Sequence, residues 1–161
     1  MGDVTHDQAN LLLRLYEMRR EPRMREAREW FMKNFRPTSL EEMATLAPPG
    51  SAGDASVRML ISYWEMAASI VNRGLIDEEF FFENTGEQWA VWGRIRGLLP
   101  AIRERSMNPH QYANLEKHVA RFEAWREKRA PGSGEALRRL MQARQAAQES
   151  KTVGFDPSRG A

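Results

Sequence analysis

The chain has 161 residues, 42% hydrophobic and 29% charged, with a formal net charge of +2, five tryptophans, seven phenylalanines and no cysteine. This composition suits one soluble globular domain with aromatic mass for a substantial core, and it excludes a disordered chain, disulfide stapling, thiolate catalysis and cysteine-ligated metals. The longest apolar run, Met59 to Val71, is interrupted by Glu65 and falls short of the ~20 residues that span a bilayer, so no membrane insertion is expected and the cytoplasm is the expected compartment.

Helix signals recur along the chain, and strand signals are nearly absent. Thr5 and Gln8 make a capping-box pattern ahead of a first helix, with Ala9, Leu12, Leu13 and Tyr16 on one face until Arg20. Pro22 suits the first turn of a second helix, whose Met24, Ala27, Trp30, Phe31 and Phe35 follow three-and-four spacing until Pro37 stops it. Ser39 and Glu42 repeat the capping pattern for a short helix through Leu46. Pro48, Pro49, Gly50 and Gly53 then make the stretch near 47–56 the one clear internal loop.

Asp54 to Gly74 is the most informative segment, because it is apolar nearly all the way round. Its polar residues Arg58, Ser62, Glu65, Ser69 and Asn72 recur every three or four positions and stack into one narrow stripe, so the other positions are expected to face protein. Such a helix is stable only where other elements wrap it, which places it at the centre of the core. Gly74 fits a left-handed C-terminal cap. Asp77 caps a short acidic-then-aromatic turn, and Thr85 with Gln88 opens a longer helix carrying Trp89, Trp92, Ile95, Leu99 and Ile102, kinked at Pro100. Asn108 and Pro109 open the next, with Tyr112, Leu115, Val119 and Phe122 in a stripe. A last helix, about Gly134 to Glu149, has a thinner apolar face of Leu137, Leu140, Met141 and Ala147, and the tail 151–161 reads as flexible. The expected architecture is all-α: a single-domain multi-helix bundle of seven or eight helices over residues 1–150, built around the central apolar helix.

The run YWEMAASIVNRGLIDEEFFFENTGEQWAVW, preceded by MREAREWFMKNF, resembles a widespread bacterial and phage family catalogued only as a domain of unknown function. The likeness rests on Glu26-Ala27-Arg28 followed by Trp30-Phe31, on the aromatic-acid pair Trp64-Glu65, on the turn Arg73 to Glu79, and on the Trp-bearing helix beyond it. It spans roughly Arg23 to Trp125. The resemblance implies an all-helical fold and supplies no activity; many members carry an N-terminal membrane helix, which has no counterpart in these residues.

Few residues suggest chemistry. Glu65 interrupts an apolar helix, and a partly buried carboxylate needs a partner, for which Arg28, Arg58 and Arg94 are the candidates. Neither His110 nor His118 has a carboxylate three residues before it, and the two are eight apart, so no metal or other cofactor is expected. No G-x-S-x-G elbow or phosphate-binding loop is present. The tryptophans Trp64, Trp89 and Trp92 with Glu65 offer the one arrangement that suits an enzyme pocket, and the sequence otherwise points away from catalysis. Phe80, Phe81 and Phe82 cannot all enter one core from a single turn, so one ring is expected at a surface or over a neighbouring helix.

The expected function is that of a non-enzymatic protein–protein interaction or assembly module, with a protein partner or a second copy meeting the first or last helix. The alternative is a nucleic-acid-binding accessory protein using the basic residues of 94–144, which include Arg94 and Arg96.

Overall fold

A computed structural model describes residues 3–153. The helices are α1 (His6–Arg20), α2 (Pro22–Asn34), α3 (Leu40–Leu46), α4 (Ala52–Asn72), α5 (Glu78–Asn84), α6 (Glu87–Ile95), α7 (Leu99–Ser106), α8 (Ala113–Arg129) and α9 (Ser133–Val153). The fold is all-helical, and there is no strand among the described residues. The helices number nine among the described residues rather than seven or eight, because two predicted stretches divide or gain an element. The Asp77 turn closes into α5, with Asp77 Oδ1 accepting the Phe80 amide at 2.9 Å. The helix expected to run through Pro100 breaks at Arg96 to Leu98: Pro100 has no N–H to donate one turn back, and the chain tightens through Leu98 N to Ile95 O at 2.9 Å.

Two other boundaries move for local reasons. α4 starts at Ala52, ahead of the expected start near Asp54, because Ser51 caps it by accepting the Asp54 amide at 3.1 Å. Residues 108–112 form turns instead of the start of α8, since Tyr112 sits at φ 58°, a left-handed conformation that no helix continues through. α9 runs to Val153, past the expected end, and the rest of the predicted flexible tail, 154–161, lies outside the described residues. Gly74 does adopt the left-handed cap, at φ 73°, with Leu75 N bonded to Ile70 O and Gly74 N to Val71 O in a Schellman arrangement.

The residues divide into two compact units, one reaching Ala120 and the other starting at Arg121, so the boundary falls inside α8. In the first unit α4 is the core element. Val57, Leu60, Ile61, Tyr63, Trp64, Ala67, Ala68 and Val71 are all buried, whereas Ala55 and Met66 reach solvent, so the apolar surround is not quite complete. Its main partner is α2, which contributes Met24, Ala27 and Phe31. The two approach closely at Gly53, where an added Cβ would lie 2.7 Å from the Trp30 ring. In the second unit, Phe122 and Trp125 stack at 5.9 Å, with Arg126 over the first ring and Arg129 over the second. Gly132, at φ 79°, turns the chain into α9.

Candidate functional site

The densest polar constellation in the first unit forms around Glu87, a residue the sequence did not single out. Glu87 opens α6, where a carboxylate complements the helix dipole. Its oxygens accept from Arg19 Nη2 at 2.8 Å, from Arg28 Nε at 2.8 and 2.9 Å, from Arg28 Nη2, and from Trp64 Nε1 at 3.3 Å. Four helices meet here: α1 supplies Arg19, α2 Arg28, α4 Trp64 and α6 the acid. Arg19 also lies over the Trp64 ring, 5.2 Å from its centroid. Burial pushes the Glu87 carboxyl up, but the Arg28 hydrogen bond and the charges of Arg19 and Arg28 outweigh it and hold the group below the usual carboxylate range. The Glu87 hydrogen bond in turn raises Arg28. A carboxylate held ionised and engaged by three side chains has little capacity left for proton transfer.

Beside this cluster runs a cleft of about 230 Å³, lined by Leu12, Leu13, Leu15, Tyr16 and Arg19 of α1 with Tyr63, Phe81, Asn84 and Thr85. Tyr63 donates its hydroxyl to the Leu15 carbonyl at 2.7 Å, which ties α1 to α4 at the cleft wall. Burial is the main reason its phenol is pushed up to about 12. On the rim, Leu13 and Tyr16 are 58% and 52% exposed, and Val4 and Met18 on the same segment are exposed too. The lining is mainly apolar, with Arg19, Asn84 and Thr85 as its polar members.

Glu65 has a partner, and it is none of the three arginines expected. Its carboxylate accepts the Asn114 amide at 3.1 Å, Asn114 Nδ2 at 2.9 Å and the Leu115 amide at 2.8 Å. It therefore caps the N-terminus of α8 from another helix, satisfying donors that α8 cannot satisfy itself. Asn72, two turns further along the same stripe, donates to the Asn114 carbonyl at 3.1 Å. Arg58 pairs with Asp54 at 3.2 Å on the surface, and Arg28 goes to Glu87.

The remaining predicted residues scatter. Trp64, Trp89 and Trp92 are buried, and none of them lines the cleft. Phe81 and Phe82 are buried against His118, with ring centroids 5.3 and 5.2 Å from the imidazole, while Phe80 is half-buried. His118 is fully buried and His110 exposed, and no three metal-ligating side chains come together among the described residues. Arg94 is half-buried and Arg96 exposed. Much of the basic set is engaged within the fold: Arg103 with Glu116 at 2.7 Å, Arg139 with Glu135, and Arg126 and Arg129 over aromatic rings.

These features define an all-helical bundle in which the apolar helix α4 is tied to its neighbours by two carboxylates, Glu87 at the head of α6 and its own Glu65 on the head of α8. The chain belongs to the DUF4760 family, a domain of unknown function, which it matches over residues 4–122. No curated protein and no solved structure matches it. The matched region ends beside the boundary between the two units and contains every residue of the Glu87 and Glu65 networks. No helix among the described residues is long and apolar enough to cross a membrane.

Proposed function

We propose that the protein is a non-enzymatic interaction and assembly module that associates with a second copy of itself through α1. The supporting observation is the pairing, on one face, of exposed Leu13 and Tyr16 with the apolar cleft they flank. A two-fold interface is self-complementary, so a surface offering both a protruding apolar pair and a receptacle for one meets that requirement with a single patch. Burying Leu13 in the partner's cleft removes a large aliphatic side chain from water, worth ~1.5–3 kcal/mol on each side. The occupied state of Glu87 and the mainly apolar lining of the cleft favour this reading over an enzymatic one.

The test is light scattering over a concentration series on the wild-type chain and on Leu13→Asp. The substitution lies at an exposed position, so folding is retained, while a charge is placed where the interface needs an apolar group. A wild-type dimer that becomes a monomer in the variant is expected. A wild-type chain that stays strictly monomeric at high concentration, or a dimer that Leu13→Asp leaves intact, overturns the proposal.

A further inference from the structure

Where α2 ends, two arginines meet with no acid between them. Arg94, on α6, donates from Nη1 to the Ala90 carbonyl at 2.9 Å and from Nη2 to the Met32 carbonyl at 3.2 Å. Arg36, just beyond α2, donates from its own Nη2 to that same Met32 oxygen at 3.3 Å. One carbonyl thus holds both guanidinium groups, whose Nη2 atoms can be no farther apart than the two bonds laid end to end. Both side chains are half-buried. Other half-buried arginines of the first unit have a carboxylate, Arg19 and Arg28 at Glu87 and Arg103 at Glu116. Among the described residues Arg36 and Arg94 have none, and Arg94 Nε is buried without an acceptor. Burial first, and the like charge of Arg36 second, bring the Arg94 guanidinium down to about 10.

Helix capping explains only part of this arrangement. The C-terminus of a helix carries roughly half a negative charge, so two guanidinium groups leave an excess of roughly one and a half positive charges. A phosphoryl monoester carries about −1.5 to −2 at neutral pH and presents three acceptor oxygens, which suits the excess charge and the second N–H of each Nη that the carbonyl bonds leave over.

We propose that Arg36 and Arg94 form a binding site for a phosphoryl group carried by a small molecule. The site is separate from the α1 cleft, and its occupancy does not depend on self-association. The experiment is a titration of the full chain with inorganic phosphate at constant ionic strength, followed by calorimetry and by the Nε–Hε signals of the arginines. Acetate and a short single-stranded oligonucleotide serve as comparison ligands. Saturable phosphate binding that moves the Arg36 and Arg94 signals is expected, with acetate weaker by about tenfold or more for want of its second charge. Arg94→Met and Arg36→Met are each expected to weaken phosphate by roughly tenfold or more, the size of a lost charged hydrogen bond. Arg94→Lys should recover part of the loss by restoring charge without the fork. Should Arg94→Met fail to fold, Arg36→Met decides alone, because Arg36 lies outside every helix and holds one carbonyl. Absence of saturable phosphate binding, binding unchanged in Arg36→Met, acetate equal to phosphate, or an oligonucleotide preferred over phosphate overturns the proposal.

Discussion

Trp64 and Glu65 are neighbours in sequence yet serve different helices: the indole N–H turns to Glu87 at the head of α6, and the carboxylate turns to the head of α8. Removing the two acids should therefore have different costs. Glu87→Gln leaves Arg19 and Arg28 half-buried without a counter-charge, and a loss of about 2–4 kcal/mol is expected in denaturant unfolding. Glu65→Gln keeps one acceptor oxygen for the α8 amides and should cost only about 1–2 kcal/mol. Equal stabilities for Glu65→Gln and wild type would show that the cap contributes nothing. Glu65 was conspicuous in the sequence because it breaks an apolar run. Glu87 was not, because an acid in a first turn is already explained by the helix dipole, and its arginines lie 68 and 59 residues away. At Gly53 two effects compete. Alanine is the better helix former by up to ~1 kcal/mol, but its Cβ would press on the Trp30 ring, an overpacking cost of ~1–3 kcal/mol. Gly53→Ala is expected to be net destabilising, and a rise in melting temperature would show that Trp30 moves freely.

At the scale of the element, the helices that carry their own punctuation were legible. Thr5 and Ser39 accept the Gln8 and Glu42 amides as their spacing indicates, and Gly74 closes α4. Glu42 returns its bond to Thr38 rather than Ser39, the amide first and the hydroxyl second, which lowers its carboxyl. The start of α8 was not legible, since its cap is Glu65, 49 residues earlier, and nothing local announces it. The end of α7 shows the converse. Met107 occupies the left-handed C-terminal position at φ 50° that glycine ordinarily fills, and its side chain is 90% exposed, so it gains no packing in return. The left-handed backbone costs a non-glycine residue ~1–2 kcal/mol, partly offset by the greater entropy glycine has when unfolded. Met107→Gly is expected to stabilise the fold by about 0.5–1 kcal/mol, visible as a melting temperature higher by roughly 2 °C.

For the molecule as a whole, the helical class and the central helix could be read from periodicity, whereas the cleft could not. Leu12, Leu13 and Tyr16 read as one apolar face, and only the way α1 is tied across α4 decides that Leu12 is buried while Leu13 and Tyr16 stand at a rim. Two groups that fasten this arrangement also set its pH limits. Glu87 binds its proton more weakly in the folded state than at the ordinary value of 4.5, so its stabilisation is complete above that value and is lost as pH falls through the folded value. Acid unfolding should therefore shift to lower pH in a Glu87→Gln background when each protein is referred to its own neutral stability. Tyr63 behaves in the opposite sense. Its phenol is pushed from 10 to about 12, so the folded state holds the proton more tightly, and the associated stability is present below 10 and lost as pH rises toward 12. Tyr63→Phe forfeits the bond to the Leu15 carbonyl and should be less stable than wild type by about 1 kcal/mol at neutral pH. Phenylalanine has no proton to lose, so the two stability curves are expected to converge and then cross between pH 10 and pH 12. Parallel curves across that range would mean that folding does not bury the Tyr63 phenol.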